Sequence, residues 1–489
     1  MRSSYAEGAA SKKGDQAMST ASQGKRRSEF RVGLVVLLLV LAAIGIRWIA
    51  ADRFAGFVAD QRLFVQWMQD VRVHGLSGAY LHNENIDYPP VFLAIMGGYG
   101  AIADMFGVVP QAGEMSFKFL LLLIDVLALC AAAAATSGMK SVRWRIGLLA
   151  LIAFNPALLT DSVVWGQVDM LHGMLMVLAI LQLPRRPWLS GLLMGLALLT
   201  KFQAVALLPV LVVYLLIRGW QHRAAKPLLL WLAGLCAPWL AALVYFGAAG
   251  ALGAMIRQAY ADAVGEYKNV TMNALNLWFH IVGVSPAKVD TEPFAWGLSL
   301  RAFSLLLFGA AVAFICYCVG RALLRSRPED AVLLRAGAAI NFAFFMLPTE
   351  MHERYSVPAL LFVLFAVMKD KRWLVAAVAL TATVFINLTV VLRMYQGGGR
   401  GRRGAPGFLA NPLGFGRGGG GERGMAVAFA RETGLSVSYS WIAAVNVLLL
   451  IGMLASLYLD QRLDTRSRRS PPAELTNSGI EASPSRGSS

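Results

Sequence analysis

The sequence predicts an all-α fold, a polytopic transmembrane helical bundle, and three observations carry that prediction. Of 489 residues, 57% are hydrophobic and 15% charged, and the mean hydropathy is +0.58. Soluble domains carry closer to about a quarter charged residues. Apolar runs near the length that crosses ~30 Å of hydrocarbon recur along the chain. Short basic loops separate them, the signature of cytoplasmic connections in a multi-span protein.

Residues 1–31 are polar and basic (Lys12, Lys13, Lys25, Arg26, Arg27 and Arg31) and read as a disordered cytoplasmic tail. The first apolar run, near 32–50, lacks a small-residue cleavage site after it and reads as a retained signal anchor. Residues 51–90 are too polar to span. The run 91–107 is long enough either to cross or to lie along the interface, and charge decides between the two. Later loops carry Lys140, Arg143 and Arg145; Arg185 and Arg186; Arg218, Arg223 and Lys226; Arg321, Arg325 and Arg327; and Lys369, Lys371 and Arg372. If all five are cytoplasmic, spans pair between them, near 117–136, 146–162, 168–183, 188–200, 203–218, 226–246, 297–320, 330–348, 354–368, 372–391 and 437–458. With the first run this gives about twelve crossings with both tails inside. The segment 91–107 then lies outside as an interfacial helix.

The predicted organisation is a tail 1–31, a transmembrane catalytic module 32–391 whose first external loop is 51–116, an external loop 392–436, a last span 437–458 and a cytoplasmic tail 459–489. The external loop is rich in Gly and Arg (Gly397–Gly404, Gly416–Gly424) and reads as a linker or as a contact for anionic lipid. The net charge of +17 follows from tails and loops, so orientation and membrane lipids explain it without nucleic acid. Cys130, Cys236, Cys316 and Cys318 all fall in apolar segments and read as small buried hydrophobes. No phosphate-binding G-x-x-x-x-G-K-[ST] loop and no H-E-x-x-H zinc motif occurs, which leaves an ATP-driven pump or a zinc protease without support.

Under this topology the outer face collects an unusual polar set. Asp60 heads the first loop, and Asp87-Tyr88-Pro89-Pro90 ends it with an extended lead-in to 91–107. Asp161 through Trp165, Gln167 and Asp169 interrupts an apolar pattern after Asn155-Pro156, and Thr200-Lys201-Phe202-Gln203 interrupts another. Asn273, Asn276 and Trp278 follow, then His352-Glu353-Arg354-Tyr355. Each has a plain structural alternative. Asp60 and Asp161 could be boundary residues or helix caps, Lys201 a snorkelling lysine, and His352-Glu353-Arg354 a local ion-pair network. Trp67, Trp165 and Trp278 are expected in an interfacial aromatic belt whatever the function. Taken together, acids fit for base work and cations fit for phosphate share one face. That set suits transfer of a group from a phosphorylated lipid.

The ordered motifs resemble a known family. Asp60-x6-Trp67-Met68, Asp87-Tyr-Pro-Pro, Asn155-Pro…Trp165-Gly-Gln-Val-Asp169, Leu-Leu-Thr-Lys201-x-Gln, Asn273-Ala-x-Asn-Leu-Trp278 and Met-His352-Glu-Arg-Tyr resemble the GT-C superfamily of integral-membrane glycosyltransferases. Within it the likeness is greatest to the dolichyl-phosphate-glucose glucosyltransferases of asparagine-linked glycosylation and their bacterial polyprenyl-phosphate-sugar relatives, over roughly 50–360. The resemblance implies that Asp60 is a general base with inversion at the anomeric carbon, and that His352 and Arg354 contact the donor. Gln167 matches the Gln of a family Gln-x-Asn in which Asp169 replaces the Asn, so Asp169 is either a second acid or a sugar contact. The likeness also implies no metal and no cofactor.

The expected function is therefore transfer of a mannosyl, glucosyl or related sugar from a polyprenyl-phosphate donor to a glycolipid or glycan acceptor, outside a bacterial inner membrane. Asp60 is the candidate catalytic residue; His352, Arg354 and Lys201 are candidates for the donor phosphate. Asp87, Tyr88, Trp165, Gln167, Asp169, Asn273, Asn276 and Glu353 are candidates for substrate contact. Two alternatives stay open. One is a lipid-linked glycan polymerase or ligase using a lipid-diphosphate donor. The other is a secondary transporter, which predicts broken helices near the midplane and an internal repeat.

Overall fold

A computed structural model describes residues 29–263, 265, 267–279, 289–325, 327–397 and 439–467. Most of the basic tail, nearly all of the Gly/Arg-rich loop 392–436 and the last residues of the C-terminal tail lie outside the described residues. The chain folds into helices α1 (Glu29–Arg53), α2 (Val58–His82), α3 (Pro90–Met105), α4 (Met115–Ala135), α5 (Val142–Ala153), α6 (Asp169–Gln182) and α7 (Pro187–Leu198). There follow α8 (Leu208–His222), α9 (Lys226–Ala248), α10 (Leu300–Leu324), α11 (Glu329–Met346), α12 (Val357–Val367), α13 (Leu374–Gly397) and α14 (Ser440–Ser467). Among the described residues the strands are β1 (Thr271–Met272), which pairs in parallel with β4 (Met351–His352), and the hairpin β2 (Pro293–Ala295) and β3 (Leu298–Ser299).

Among the described residues, eight helices are long and apolar enough to cross a membrane: α1, α4, Val142–Trp165, Phe202–His222, α9, α10, Lys371–Arg393 and Ser440–Leu459. The other four predicted spans fall on α6, α7, α11 and α12, of 14, 12, 18 and 11 residues. Every residue of α12 is buried. At 1.5 Å per residue it reaches only about half the ~30 Å of hydrocarbon. A helix wrapped by its neighbours need not match lipid thickness, because protein covers its ends. Close packing of α7 on α9 explains two glycines: a Cβ on Gly191 would collide with the Trp231 carbonyl, and one on Gly234 with that of Trp188. Small residues let membrane helices approach at backbone distance.

The polar segment 51–90, read as a loop, is mostly the helix α2, with a kink at Gly75 (φ 74°). Its buried aromatics fix it against α3 and α4: the Phe64 ring lies 5.4 Å from Trp67, 5.5 Å from Tyr88 and 5.4 Å from Phe92. Such ring pairs add to the area they bury. None of the four cysteines forms a disulfide, and only Cys318 is buried; Cys130 and Cys236 face outward from the bundle. In a membrane protein an outward position on a span meets lipid, so a hydrophobic thiol gains nothing by being inside.

Candidate active site

Asp60 stands in the first turn of α2, where the unpaired amides of a helix N-terminus favour a negative charge. Facing it, the fifth helix is interrupted. The Asn155 side chain caps Pro156–Leu159 by accepting from the amides of Ala157 and Leu158. A π-helical turn then runs from Thr160 to Trp165 and ends at Gly166 with φ 105°. Such turns are often found at functional sites because they re-aim side chains. Here the result is convergence: Trp165 Nε1 donates to Asp60 Oδ2 at 3.1 Å, and Gln167 Nε2 donates to the same oxygen at 2.5 Å. Tyr88 completes the arrangement, its hydroxyl donating to Gln167 Oε1 at 3.3 Å.

Gln61 clamps this geometry from behind. Its amide nitrogen donates to the carbonyls of Trp165 (2.8 Å) and Ala55 (3.0 Å), and its oxygen accepts from Gly113 N at 2.8 Å. Deeper still, Ser162 donates to Asp125 Oδ1 at 2.7 Å, and Arg47 Nε to Asp125 Oδ2 at 2.8 Å, with neither Arg47 nor Asp125 exposed. A charge pair inside a bundle is costly unless satisfied. This one ties α1 and α4 to the π-turn that carries Trp165.

Arg354 closes the opposite side. Its Nη1 lies 3.0 Å from Glu353 Oε1, 3.8 Å from Asp60 Oδ2 and 3.4 Å from His352 Nδ1, and its guanidinium sits 5.8 Å from the Tyr355 ring centroid. Burial, and then the Arg354 charge, hold the His352 imidazole neutral, well below its usual range. Since a guanidinium only donates, Nδ1 is the accepting nitrogen and the ring proton resides on Nε2. That Nε2 is buried with no hydrogen-bond partner. Burial likewise raises the Glu353 carboxyl and pushes Asp87 up to about 6, in both cases against the pull of Arg354.

Asp87, Tyr88, Trp165, Gln167, Glu353 and Arg354 thus surround Asp60, as the sequence predicts for one face. Lys201 does not snorkel. It is 3% exposed, pairs with Asp169 at 2.6 Å, and lies 5.6 Å and 5.3 Å from the ring centroids of Tyr88 and Tyr355. Asp161 caps nothing: it lies inside the π-turn, fully buried, with both carboxylate oxygens lacking a hydrogen-bond partner. Trp67, Trp165 and Trp278 are 2%, 1% and 1% exposed, so protein surrounds them and they form no lipid-facing belt. Asn276 spends its amide on the carbonyls of Phe345 and Pro348 and its oxygen on Trp278 N, which makes it a brace. Asn273, at φ 66°, bridges to His352 through its backbone.

Sequence reasoning missed Gln61, Ser162, Arg47 and Asp125. The last two carried a usable signal, being ionisable residues within apolar runs. Gln61 gave none.

A carboxylate gripped by two donors beside a guanidinium, within an apolar helical bundle, is equipped to accept a proton next to an anion. The family model of glycosyltransferase family 87 matches residues 85–348, more than half the chain. The protein is accordingly an integral-membrane glycosyltransferase of the GT-C type. It belongs to glycosyltransferase family 87. The matched region ends just short of His352 and begins after Asp60. No curated protein matches. Among solved structures, the archaeal oligosaccharyltransferase AglB from Archaeoglobus fulgidus, in complex with an inhibitory peptide and a dolichol-phosphate, is similar at 14% identity and a TM-score of 0.37. The similarity covers 87% of this chain and 56% of that one, so the chain spans little more than half of that enzyme.

Proposed function

We propose that the enzyme transfers a mannosyl, glucosyl or related sugar from a polyprenyl-phosphate donor to a lipid-linked or glycan acceptor, at the outer face of a bacterial inner membrane. The observation that carries this reading is Asp60. Its carboxylate is 16% exposed, so it is reachable, and Oδ2 is fixed by Trp165 and Gln167 with Arg354 at 3.8 Å. The acceptor hydroxyl gives its proton to Asp60 as its oxygen bonds to the anomeric carbon. The bond from that carbon to the phosphate oxygen breaks, and its electron pair leaves with the polyprenyl phosphate. Attack opposite the leaving group inverts the anomeric centre. Arg354 offsets the charge gathering on the phosphate, and the unpartnered Nε2–H of His352 is available to donate to the donor. Asp87, Tyr88 and Glu353 then line the substrate cleft, while Lys201, committed to Asp169, supports it from within.

The test uses purified protein in detergent with a panel of radiolabelled polyprenyl-phosphate monosaccharides and membrane acceptor lipids, wild type beside Asp60→Asn. Transfer from one donor, lost in the variant, is the expected outcome; failure of every donor with folded enzyme would sink the reading. Sidedness is read separately in cells, on a background without the four native cysteines. Asn85→Cys should label from outside and Ser141→Cys from inside only.

A further inference from the structure

The loop ahead of α10 and the segment ahead of α12 are bound together by a polar cluster that the chemistry above does not use. The Arg301 guanidinium grips the fully buried carboxylate of Asp290 through two bonds, Nε to Oδ2 at 3.0 Å and Nη2 to Oδ1 at 2.9 Å. The same Nη2 forms an ion pair with Glu350. Thr349 donates its hydroxyl to Asp290 Oδ2 at 2.6 Å, and Gly265 N donates to Glu350 Oε2 at 3.1 Å. Backbone contacts add to this: Glu350 N donates to Val270 O at 3.2 Å, and Arg301 N to Asp290 O at 2.8 Å. Gly265 has φ 83°, and a Cβ there would meet Arg301 Nη1, so glycine is needed for the guanidinium to fit.

Glu350 itself has φ 66°, a left-handed conformation that is strained for a non-glycine residue. Such strain persists only where surrounding contacts impose it. Its consequence is directional. One residue later the chain enters β4, whose Met351 and His352 pair in parallel with Thr271 and Met272, and two residues after that comes Arg354. Every contact that fixes Glu350 therefore fixes the direction in which His352 and Arg354 leave it. Asp60 touches this segment through Arg354 at 3.8 Å, but its hydrogen bonds come from Trp165 and Gln167, which other elements carry.

We propose that Arg301, bridging Asp290 and Glu350, is a latch that sets the position of the His352–Arg354 segment, which makes Arg301 and Glu350 positioning residues for donor binding. The inference rests on the reading of His352 and Arg354 as donor contacts. A latch on that segment alone acts on the donor and leaves the base in place. Its loss should raise the donor KM more than it lowers kcat.

Two readouts test it on the full-length enzyme in detergent: amide hydrogen exchange across 350–354, and kcat and KM for the polyprenyl-phosphate donor. Arg301→Ala should speed exchange there and raise KM about tenfold, the loss expected when a charged hydrogen-bond network is cut. Arg301→Lys, which keeps the charge without the fork, should recover part of the loss. Unchanged exchange with unchanged KM in Arg301→Ala overturns the latch, as does a fall in kcat at constant KM. If Arg301→Ala fails to fold, Glu350→Gln, of the same shape, should move both readouts in the same direction, and its failure to do so overturns the latch equally. Arg354→Ala separates the two ideas. If it leaves donor KM unchanged, the donor reading falls, and exchange in Arg301→Ala alone decides whether the segment is latched.

Discussion

Gln167 donates its side-chain amide to Asp60 at 2.5 Å across 107 residues of sequence, directly after the π-turn Thr160–Trp165. One amide thereby links the first turn of α2 to the start of α6. Asp60 is held in orientation by partners, not by its own helix, so the partners and the carboxylate make separable contributions.

Asp60→Asn removes the proton acceptor and keeps the shape of the side chain. General-base contributions run to about 10²–10⁴-fold, and kcat should fall within that range. Donor affinity, measured by isothermal titration with the unreacted donor, should stay within about twofold, since the base touches the acceptor hydroxyl. Full activity in this variant would refute Asp60 as the base.

Gln167→Ala should leave the base present and badly aimed. One hydrogen bond to a charged group contributes about 1.5–3 kcal/mol, so a loss of roughly ten- to a hundredfold in kcat is expected, with a smaller change in KM. Trp165→Phe keeps an aromatic ring but removes the Nε1 donor at 3.1 Å together with part of the buried indole, so it should lower kcat and the melting temperature together. Steady-state kinetics with saturating donor separates these from Asp60→Asn.

The fold was largely legible because hydropathy and loop charge report directly on what a bilayer demands of a chain. Asp60, Asp87, Gln167 and Arg354 were legible as a set because polar residues at the ends of apolar runs are few. What stayed hidden were relations that depend on backbone irregularity. Nothing in Thr160–Trp165 signals a π-turn over an α-turn, so Asp161 looked like a cap and Trp165 like a belt residue. Lys201 looked free because sequence shows its charge and not the Asp169 carboxylate folded against it. Glu350 and Arg301 meet across a loop, where no periodicity links them.

Gly166→Ala tests the turn itself. At φ 105° an L side chain is strained, and its Cβ would run into the Gln61 side chain that clamps Trp165. Strain of this kind costs about 1–3 kcal/mol. The variant should melt at a lower temperature in detergent and lose kcat in parallel, whereas Gly250→Ala, also at positive φ but with open space around it, should be strained without loss of kcat.

Lys201→Met distinguishes an internal counter-charge from a phosphate clamp. Leaving the Asp169 carboxylate buried and unpaired should cost about 3–5 kcal/mol of stability. Lys201→Met combined with Asp169→Leu should recover most of it, because no buried charge then remains. Thermal unfolding of the two single variants and the double variant gives the coupling. A Lys201→Met protein of native stability with raised donor KM would instead make Lys201 a phosphate contact.

Asp87 makes donor binding depend on pH in a calculable direction. Burial, opposed first by Arg354, pushes its carboxyl from the ordinary 3.8 up to about 6, with Asp60 raising it further and Lys201 lowering it. A raised carboxyl favours the folded state while neutral, so its stabilising contribution is complete below the ordinary value and is lost as pH rises through about 6. Ionisation also adds a third carboxylate to the surroundings of Arg354, beside Asp60 and Glu353. A phosphodiester donor keeps one negative charge across this range, so the change lies in the protein alone. The donor KM should therefore rise as pH increases through about 6, and Asp87→Asn should flatten the profile at the low-pH value. A donor KM independent of pH between 5 and 7 (a range of about one unit either side) in the wild type would remove Asp87 from the donor's electrostatic surroundings.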